Sequence, residues 1–277
     1  MKKNKLIAPF LKWVGGKRQL MPAINELLPK KYTTYYEPFV GGGAVLFEIQ
    51  PKKAIVNDFN SDLVNTYNVI KNQPEKLIED LKTHINDSEY FYNIRALDRK
   101  EDFDQLSDIK KASRMIYLNK TCYNGLYRVN NSGEFNSPFG KYKNPNIVND
   151  VTIRAVSRFL NANDITIING DFESVLKNIR KGAFVYFDPP YDPVSKSSNF
   201  TGYVQGGFNM FDQVRLKDLC DKLDKKGVKF LVSNSATQFI LDQYSDYNVA
   251  FVKANRAINS DASKRGEVDE VLIRNYE

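Results

Sequence analysis

Short β-prone runs alternate with helical segments in the first third of the chain. Residues 33–37 are rich in β-prone side chains and end at Pro38, and residues 54–56 form a short apolar run that stops at Asn57-Asp58. The intervening residues 43–49 have the composition of a helix. The pattern therefore predicts a strand, a loop, a helix and a second strand, in that order.

The same alternation returns in the last third of the chain. Strands are predicted over residues 165–168, 183–187, 228–232, 249–253 and 271–275, and the last two look like an antiparallel pair. Residues 213–225 are predicted to form an amphipathic helix, because apolar side chains recur near a period of about 3.6. That stripe consists of Val214, Leu216, Leu219, Cys220 and Leu223. Alternating strands and helices predict an α/β fold, with a mostly parallel sheet covered by helices on both faces.

The segment between these two parts has a different character. Residues 63–159 are charged and rich in helix formers, with helices predicted over residues 74–84, 88–99 and 108–118. A polar loop at residues 123–145 interrupts them, and cations recur in this part of the chain at Lys120, Arg128, Lys141 and Lys143. We therefore predict a mostly helical domain, residues 63–162, inserted into a discontinuous α/β domain formed by residues 1–62 and 163–277.

Composition and charge limit the range of possible functions. The chain has 277 residues, 42% of them hydrophobic, which suffices for one large domain or two modest ones. No apolar run approaches the roughly 18 to 20 residues that span a bilayer, and no signal peptide is evident, so we expect a cytoplasmic protein. A net charge of +7 with 13% aromatic residues suits a nucleic-acid binder. Charge alone fits a protein without a polyanionic partner equally well.

Cysteine and histidine are scarce, which excludes several kinds of site. We expect the two cysteines, Cys122 and Cys220, to be free, buried thiols. A closed zinc site takes about four Cys or His ligands, so no metal site is expected. The one histidine, His84, lies in a polar stretch and is expected to be solvated, which argues against a histidine-centred triad. Catalysis must rest on carboxylates, aromatic rings, backbone groups and a cofactor.

A glycine-rich loop follows the first predicted strand. It occupies residues 37–44, and its consecutive glycines allow a tight turn and a close approach to a ligand. The second predicted strand ends in Asp58, whose carboxylate can accept hydrogen bonds from both ribose hydroxyls of a nucleoside. Lys17, after Gly15-Gly16, can neutralise a cofactor carboxylate. The alternatives are an ordinary turn, a surface aspartate and a surface lysine.

Asp171 and Phe172 follow the third predicted strand and allow two interpretations. Asp171 can accept a hydrogen bond from an adenine amino group while Phe172 packs on the ring. Equally, Asp171 can cap a helix over residues 172–179.

Asp188-Pro189-Pro190-Tyr191 follows the fourth predicted strand, where ligand sites of open α/β sheets lie. The two prolines fix φ near about −65° and remove two N–H donors, so the Asp188 carboxylate and nearby carbonyls form a rigid set of acceptors. Tyr191 adds a flat face. This array complements an exocyclic amino group, and hydrogen bonds to both of its protons favour a pyramidal nitrogen whose lone pair can attack an electrophilic methyl group. The tetrapeptide alone does not choose adenine over cytosine or DNA over RNA, and a proline turn that ends a strand is the alternative.

Together these motifs resemble the Dam-type, DpnII-like branch of DNA adenine N6-methyltransferases. The resemblance runs nearly end to end, and the motif order matches the alpha group of the family. The matching stretches are residues 9–18, 37–44, 57–58, 124–130, 133–136, 138–140 and 188–191.

The resemblance implies a Rossmann-like methyltransferase sheet with antiparallel closing strands, S-adenosyl-L-methionine as cofactor and double-stranded DNA as substrate, methylated at adenine within GATC. It assigns cofactor contacts to Trp13, Lys17, Pro38, Phe39, Gly41, Gly42, Gly43, Asp58, Asp171, Phe172 and Asp188. It assigns catalysis to Asp188, Pro189, Pro190 and Tyr191. It assigns DNA contacts to Lys12, Asn124, Leu126, Arg128 and Pro138. Arg128 suits guanine O6 and N7, with a phosphate contact as the alternative.

Other classes and roles stay open at this point. A cytosine ring-carbon methyltransferase needs a cysteine after a proline, and neither cysteine has that context. An RNA methyltransferase, or a catalytically weak DNA-binding regulator derived from a methylase, remains an alternative. We expect a monomer or a weak dimer, which can be the modification enzyme of a restriction-modification system. The polar loop 195–209 can close over a flipped base. The polar loop 255–266 can contact phosphates through Arg256, Lys264 and Arg265. For both segments, an ordinary solvated loop is equally consistent.

Overall fold

A seven-stranded sheet organises the described part of the chain. The computed structural model describes residues 3–194, 207–255 and 267–277. The strands are β1 (Tyr35–Glu37), β2 (Lys53–Asp58), β3 (Asp164–Asn169), β4 (Phe184–Phe187), β5 (Lys229–Ser235), β6 (Asn248–Asn255) and β7 (Glu267–Arg274). They lie side by side in the order β3-β2-β1-β4-β5-β7-β6. β1 to β5 are parallel, whereas β7 is antiparallel to both β5 and β6. The predicted α/β sheet with a closing antiparallel pair is confirmed.

The chain changes direction across the sheet between β1 and β4. β1, β2 and β3 follow one another toward one edge, while β4 and β5 continue toward the other. Every side chain of β4 is buried, as expected for a strand covered on both faces. Ligands of open α/β sheets bind beyond the carboxyl ends of the strands at such a switch point. The loops that begin with Pro38 and Asp188 both start there.

Helices cover both faces of this sheet. The helices are α1 (Met21–Leu27), α2 (Ala44–Ile49), α3 (Ser61–Asn72), α4 (Pro74–Leu81), α5 (Ser88–Arg95), α6 (Asp108–Thr121), α7 (Asp150–Ala162), α8 (Met210–Lys225) and α9 (Gln238–Gln243). Alternate side chains of β4 enter different apolar clusters: Phe184 and Tyr186 join one, and Val185 and Phe187 join the other. Because successive side chains of a strand point to opposite faces, the two clusters lie on opposite sides of the sheet.

The buried stripe of α8 differs from its prediction at one position. Leu216, Leu219, Cys220 and Leu223 are buried in the second cluster, but Val214 is exposed. Val214 precedes Leu216 by two residues, which places it about 200° away around the helix axis. Its inclusion in the stripe was wrong, because it lies on the opposite side of the helix.

The middle segment packs directly on the sheet. Helix α3 contacts β2 and β3, and α7 contacts β3; the sequence pattern did not resolve these two helices individually. Predicted helices 74–84 and 108–118 correspond to α4 and α6, whereas 88–99 is divided between α5 and a 3-10 helix, Ala96–Arg99. One apolar cluster runs without interruption from Val56 in the sheet to Tyr117 in α6. The division at residues 62/63 and 162/163 stays a prediction.

His84 is buried rather than solvated, so that prediction was wrong. Its side chain is 7% exposed, stacks on Tyr117 at 4.4 Å between ring centroids, and hydrogen-bonds Tyr90 Oη at 2.9 Å and Ser113 Oγ at 3.0 Å. Burial lowers the pKa of His84 to about 4, against a smaller opposing effect of Asp80. The polar residues around His84 gave no sign of its burial, because the residues that cover it come from α5 and α6.

Both cysteines, Cys122 and Cys220, are buried free thiols, as predicted. Among the described residues, no helix has both the length and the apolar character needed to cross a membrane.

Candidate active site

Asp188 lies directly after β4, at the switch point of the sheet. Its Oδ1 atom is 2.7 Å from Lys17 Nζ and accepts a hydrogen bond from Ser233 Oγ at 2.9 Å. Burial raises the pKa of the Asp188 carboxyl, while Lys17 and Ser233 oppose that rise. Both contacts fall on the same oxygen, so neither of them uses Oδ2. The arrangement presents a fixed acceptor at the carboxyl end of β4.

Lys17 is part of this centre rather than a surface lysine. Its side chain is only 5% exposed. Besides Asp188, the ammonium group donates to the Gly15 carbonyl oxygen at 2.6 Å and lies 4.8 Å from the centre of the Tyr191 ring. The sequence suggested a contact with a cofactor carboxylate, and that role stays a prediction. The ion pair with Asp188 was not predicted.

Tyr191 lies beside the same lysine and is fixed from a second strand. Its hydroxyl donates to Glu270 Oε2, on β7, at 3.1 Å. Burial raises the pKa of Tyr191 well above its usual value, with the Asp188 charge adding to the rise, so the phenol stays neutral at ordinary pH. The ring therefore offers a neutral, oriented aromatic face next to the Asp188 carboxylate. Glu270 was missed because it is remote in sequence and belongs to no motif.

The glycine-rich loop passes against Trp13. Gly41 and Gly43 have φ values of +49° and +75°, a region that side chains rarely adopt. A Cβ atom on Gly41 would lie 2.8 Å from the Trp13 ring, and one on Gly43 would lie 2.5 Å from Tyr67 Oη. The loop accordingly needs glycine for both its conformation and its close packing. This packing brings together four of the predicted cofactor residues, Trp13, Gly41, Gly42 and Gly43. Pro38 is buried at the start of the loop, where its carbonyl accepts from Asn57 Nδ2 at 2.9 Å.

Asp58 connects this loop to the carboxyl end of β2. Its Oδ2 atom accepts from the Gly41 N–H at 2.9 Å, and Oδ1 accepts from the Asn60 N–H at 2.9 Å. Burial raises the pKa of Asp58 to about 6, opposed by these backbone donors. The Phe59 N–H also lowers this pKa, and because a carboxylate has about four acceptor positions, Asp58 can still accept from a ligand hydroxyl. The neighbouring Phe59 is 59% exposed, an aromatic face at this edge that the motif search did not single out.

Asp171 and Phe172 form a separate group with Arg215. Asp171 accepts from the Glu173 N–H at 2.9 Å, which braces the turn, and pairs with Arg215 at 3.1 Å. The guanidinium lies 4.9 Å from the Phe172 ring centre, and the Phe39 and Phe172 ring centres are 5.3 Å apart. The helix over residues 172–179 is replaced by a 3-10 helix, Ser174–Leu176, because i→i+3 bonds tighten this segment. Asp171 therefore braces a turn and does not cap the helix expected over residues 172–179, so that interpretation was wrong, whereas its adenine contact stays a prediction.

The residues expected to contact DNA lie mainly on one hairpin. Pairing of Val129 with Phe135, and of Cys122 with Phe139, closes the segment that carries Asn124, Leu126, Arg128 and Pro138. The Tyr123 N–H donates to the Pro138 carbonyl at 2.8 Å, which brings the two ends of this hairpin together. Arg128 is half-buried and held by Asn136, whose Oδ1 accepts from its Nε at 2.6 Å.

Lys12 joins this hairpin from the N-terminal segment. Its side chain is exposed, with Nζ 5.1 Å from the Tyr142 ring centre. Tyr123, next to Asn124, is also 57% exposed. Because the Lys12 side chain also packs beside Gly125, Lys12 adjoins the hairpin that carries the other predicted DNA contacts, although nothing in the sequence spacing required this.

A buried ion pair supports the hairpin from behind. Arg114 and Asp98 are 2.7 Å apart and nearly inaccessible, and Asp98 Oδ2 also accepts from the Phe135 N–H at 2.7 Å. Arg99 donates to the Phe135 carbonyl at 3.0 Å. These charged residues were absent from the sequence-based site, since charges in a helical segment usually indicate a solvated surface.

Two predicted loops fall largely outside the described residues. Of the segment 195–209, residues 195–206 are not described; Phe208 lies 5.7 Å from Phe39 and 5.9 Å from Phe172 between ring centres. Arg256, Lys264 and Arg265 of the second loop are also outside the described residues.

Known proteins share both the motifs and the length of this chain. A family model described as D12 class N6 adenine-specific DNA methyltransferase matches residues 13–258. A type II methyltransferase of Lactococcus lactis subsp. cremoris is 46% identical over 279 residues, covering 100% of this chain and 98% of the relative. A type II methyltransferase of Methanocaldococcus jannaschii is 43% identical over 290 residues, covering 98% and 99%. A DNA adenine methylase of Serratia marcescens is 36% identical over 278 residues, covering 98% of each. These matches confirm the resemblance predicted from the motifs, and the chain belongs to the D12 class N6 adenine-specific DNA methyltransferases.

Proposed function

We propose that this enzyme uses S-adenosylmethionine to methylate the N6 amino group of an adenine that is flipped out of duplex DNA into the space beside Asp188 and Tyr191. The observation that carries the proposal is the fixed Asp188 carboxylate at the sheet's switch point, with Lys17 at 2.7 Å and the neutral Tyr191 ring beside that lysine. A carboxylate next to a flat aromatic face matches an amino group on a flat ring.

The residues around the glycine-rich loop fit a nucleoside cofactor. Asp58 has acceptor positions beyond its backbone donors, which suits the ribose hydroxyls. Gly41 and Gly43 pack against Trp13 and Tyr67 with no room for a side chain, and the Gly41 N–H donates to Asp58, so the loop is fixed beside that carboxylate. Phe39 and Phe172 provide aromatic packing for an adenine ring. Lys17 supplies a cation for a carboxylate.

In the proposed mechanism the protein positions and orients its substrates. S-adenosylmethionine, when bound, supplies a methyl group that is already activated on a sulfonium. The Asp188 carboxylate accepts a hydrogen bond from one N–H of the target amino group, and the Pro189 carbonyl accepts a hydrogen bond from the other. Ser233 and Lys17 hold the carboxylate, and Lys17 favours its ionised form. After methylation the nitrogen carries a positive charge and is acidic, so it releases one proton to water, and the reaction needs no histidine base.

We propose GATC as the target, read by the hairpin that carries Asn124, Leu126, Arg128 and Pro138. This rests on the resemblance of those positions to Dam-type enzymes and on relatives named DNA adenine methylase. Arg128 donates from Nε to Asn136 Oδ1 and from Nη2 to the Asn136 carbonyl at 3.3 Å, so both Nη1 protons and one Nη2 proton remain to donate to guanine O6 and N7. Because two relatives are named type II methyltransferases, we also propose that the chain is the modification enzyme of a restriction-modification system.

The catalytic assignment is tested by Asp188→Asn, which keeps the shape but makes one of the two acceptors a donor. We expect methyl transfer to a GATC duplex to fall about 100- to 1,000-fold. Asp164→Asn is the control, because Asp164 is an exposed carboxylate at the amino end of β3. A near-normal rate for Asp188→Asn would disprove the assignment.

The target is tested separately from the chemistry. Labelled methyl incorporation is compared among duplex DNA, RNA and protein, and we expect it in duplex DNA. A methylated plasmid library is then digested with enzymes that are sensitive or insensitive to methylation at GATC. Protection confined to GATC supports the proposed target, whereas methylation elsewhere overturns it and leaves the chemistry intact.

A further inference from the structure

Two buried side-chain amides connect α8 and β5 to the catalytic turn. Gln213 is 2% exposed and Asn234 is fully buried. Gln213 Nε2 donates to the Pro190 carbonyl at 2.9 Å, and Asn234 Nδ2 donates to Gln213 Oε1 at 3.1 Å. Asn234 Oδ1 accepts from the Asp192 N–H at 3.0 Å and from the Ser235 N–H at 2.9 Å. The resemblance assigned neither amide to the site.

The backbone groups at the two ends of this chain of hydrogen bonds determine how both side-chain amides are oriented. A side-chain amide can often be turned round without changing its shape, so its oxygen and nitrogen must be assigned from their partners. Here the N–H groups of Asp192 and Ser235 can only donate, which requires the Asn234 oxygen to face them. The Asn234 nitrogen then faces the Gln213 oxygen, and the Gln213 nitrogen faces Pro190. Each amide thus has one consistent orientation.

The catalytic turn needs such an external support. Pro189 and Pro190 have no N–H groups, so the turn cannot brace itself with hydrogen bonds from these two residues. Gln213 supplies a donor to the Pro190 carbonyl from α8, and Asn234 accepts from the Asp192 N–H on the other side of Tyr191. The Asp192 carboxylate is itself held by Thr237 Oγ1 at 2.6 Å. The turn is therefore fixed on both sides of Tyr191.

We infer that Gln213, oriented by Asn234, is a positioning residue for methyl transfer: it occupies the Pro190 carbonyl and so keeps the Pro189 carbonyl and the Asp188 carboxylate aimed at the target amino group. The inference rests on the proposed role of Asp188. Gln213 does not touch the substrate in this scheme. Its loss should lower the rate of the chemical step while leaving the binding of cofactor and DNA nearly unchanged.

The test compares Gln213→Met, which removes the hydrogen bonds, with Gln213→Glu, which keeps the shape. Single-turnover methyl transfer, kcat, KM for S-adenosylmethionine, the Kd for a GATC duplex and Tm are measured for each. A displacement of about 1 Å at a reacting centre can cost about 100-fold, so we expect the rate of Gln213→Met to fall about 10- to 100-fold, with KM and Kd changed less than about twofold. Gln238→Met is the matched control, since the Gln238 amide is exposed and bonds only within α9.

The pH profile distinguishes a hydrogen-bond donor from a packing role. An ionised carboxyl at position 213 cannot donate to the Pro190 carbonyl, whereas a protonated one has one donor and one acceptor, as the amide does. Burial favours the protonated form. We expect the deficit of Gln213→Glu, relative to the wild type at each pH, to shrink as pH falls from 8 to 6, and that of Gln213→Met to stay constant. Asp188 and Asp192 lie on the same turn, and Asp212 adjoins Gln213 in the chain. These carboxyls are present in every variant, so the effect of their titration cancels in the ratio of the variant rate to the wild-type rate at each pH.

Each outcome bears on a different claim. Wild-type rates in both Gln213 variants, together with inactive Asp188→Asn, would overturn the positioning role and leave the proposed function standing. Equal, pH-independent losses in both variants, or a parallel loss of Tm, kcat and binding, would assign a packing role instead. Should Gln213→Met fail to fold, the isosteric Gln213→Glu decides alone through its pH profile. An active Asp188→Asn would refute the proposed function itself.

Discussion

Lowering the pH from 7.5 to 5 should weaken the binding of S-adenosylmethionine about tenfold, through Asp58. Burial raises the pKa of Asp58 to about 6, so the ligand-free protein loses this charge as the pH falls through that value. Two ribose hydroxyls can both donate to the ionised carboxylate but not to its protonated form. If only the ionised form binds, the apparent Kd rises with the protonated share, by about tenfold at pH 5 and negligibly at pH 7.5.

Asp58→Asn isolates this effect. The amide keeps the shape but replaces one acceptor with a donor and removes the charge. Losing a hydrogen bond to a charged group costs about 2 kcal/mol, which corresponds to a Kd about 30-fold higher at pH 7.5. The variant should also lose the tenfold change between pH 7.5 and 5. Asp164→Asn is again the control, because that carboxylate is exposed at the opposite end of the sheet.

Trp13 provides the assay. It is the single tryptophan of the chain, and its ring packs against Gly41 and Gly42 of the glycine-rich loop. Fluorescence titrations with S-adenosylmethionine at half-unit steps of pH therefore report binding at this loop directly. A wild-type Kd that is flat between pH 7.5 and 5, or an Asp58→Asn variant that keeps the full pH dependence, would refute the assignment of Asp58 to the ribose.

Three further predictions concern stability. The pKa of His84 is about 4 in the folded protein and about 6.5 when unfolded, so the unfolded chain binds this proton first as pH falls. The contribution of His84 to the free energy of unfolding is complete above pH 6.5 and is lost toward pH 4, with about 2 kcal/mol lost by pH 5. Urea unfolding should show that His84→Gln removes this part of the pH dependence. Asp98→Ala leaves a buried arginine unpaired and should cost about 3 to 5 kcal/mol, against less than about 1 kcal/mol for the half-exposed Arg154→Ala; similar losses in both would contradict this. Gly43→Ala and Gly133→Ala both place alanine at positive φ, but only the alanine at position 43 meets atoms within 3 Å. Gly43→Ala should therefore lower the free energy of unfolding by about 1 to 3 kcal/mol more than Gly133→Ala, and its Tm should be the lower of the two.

The sequence was most informative where polar residues directly follow buried strands. The carboxyl ends of parallel strands share one edge, so Asp58, the last residue of β2, and Asp188, directly after β4, lie at the same edge of the sheet. Local composition determined both the strands and the residues that end them. The glycine loop was equally predictable, because Gly41 and Gly43 adopt positive φ values that few other residues tolerate.

The partners of those residues could not be predicted in the same way. Ser233, Glu270 and Gln213 hold the catalytic turn, but each comes from a separate element and none belongs to a motif. Their roles depend on the register of β5 and β7 and on the rotation of α8, and a shift of one residue would turn each away. The Val214 error has another cause, since a position two residues before Leu216 already lies about 200° away around the helix axis and falls outside the buried stripe.

Trp13 and Lys12 join the glycine-rich loop to the hairpin that we propose reads the target, although they are far from both in the sequence. Trp13 packs against Gly41 on one side and stacks on Tyr127 of the hairpin on the other, with 5.2 Å between ring centres. The adjoining Lys12 is held through both its N–H and its carbonyl by the buried Asn119, which also donates to the Gly125 carbonyl at 3.0 Å. Interiors pack too densely for one of these neighbours to move alone. Substitutions at Tyr127 should therefore disturb Trp13 and the loop behind it, so a change in cofactor affinity there does not by itself identify a cofactor contact.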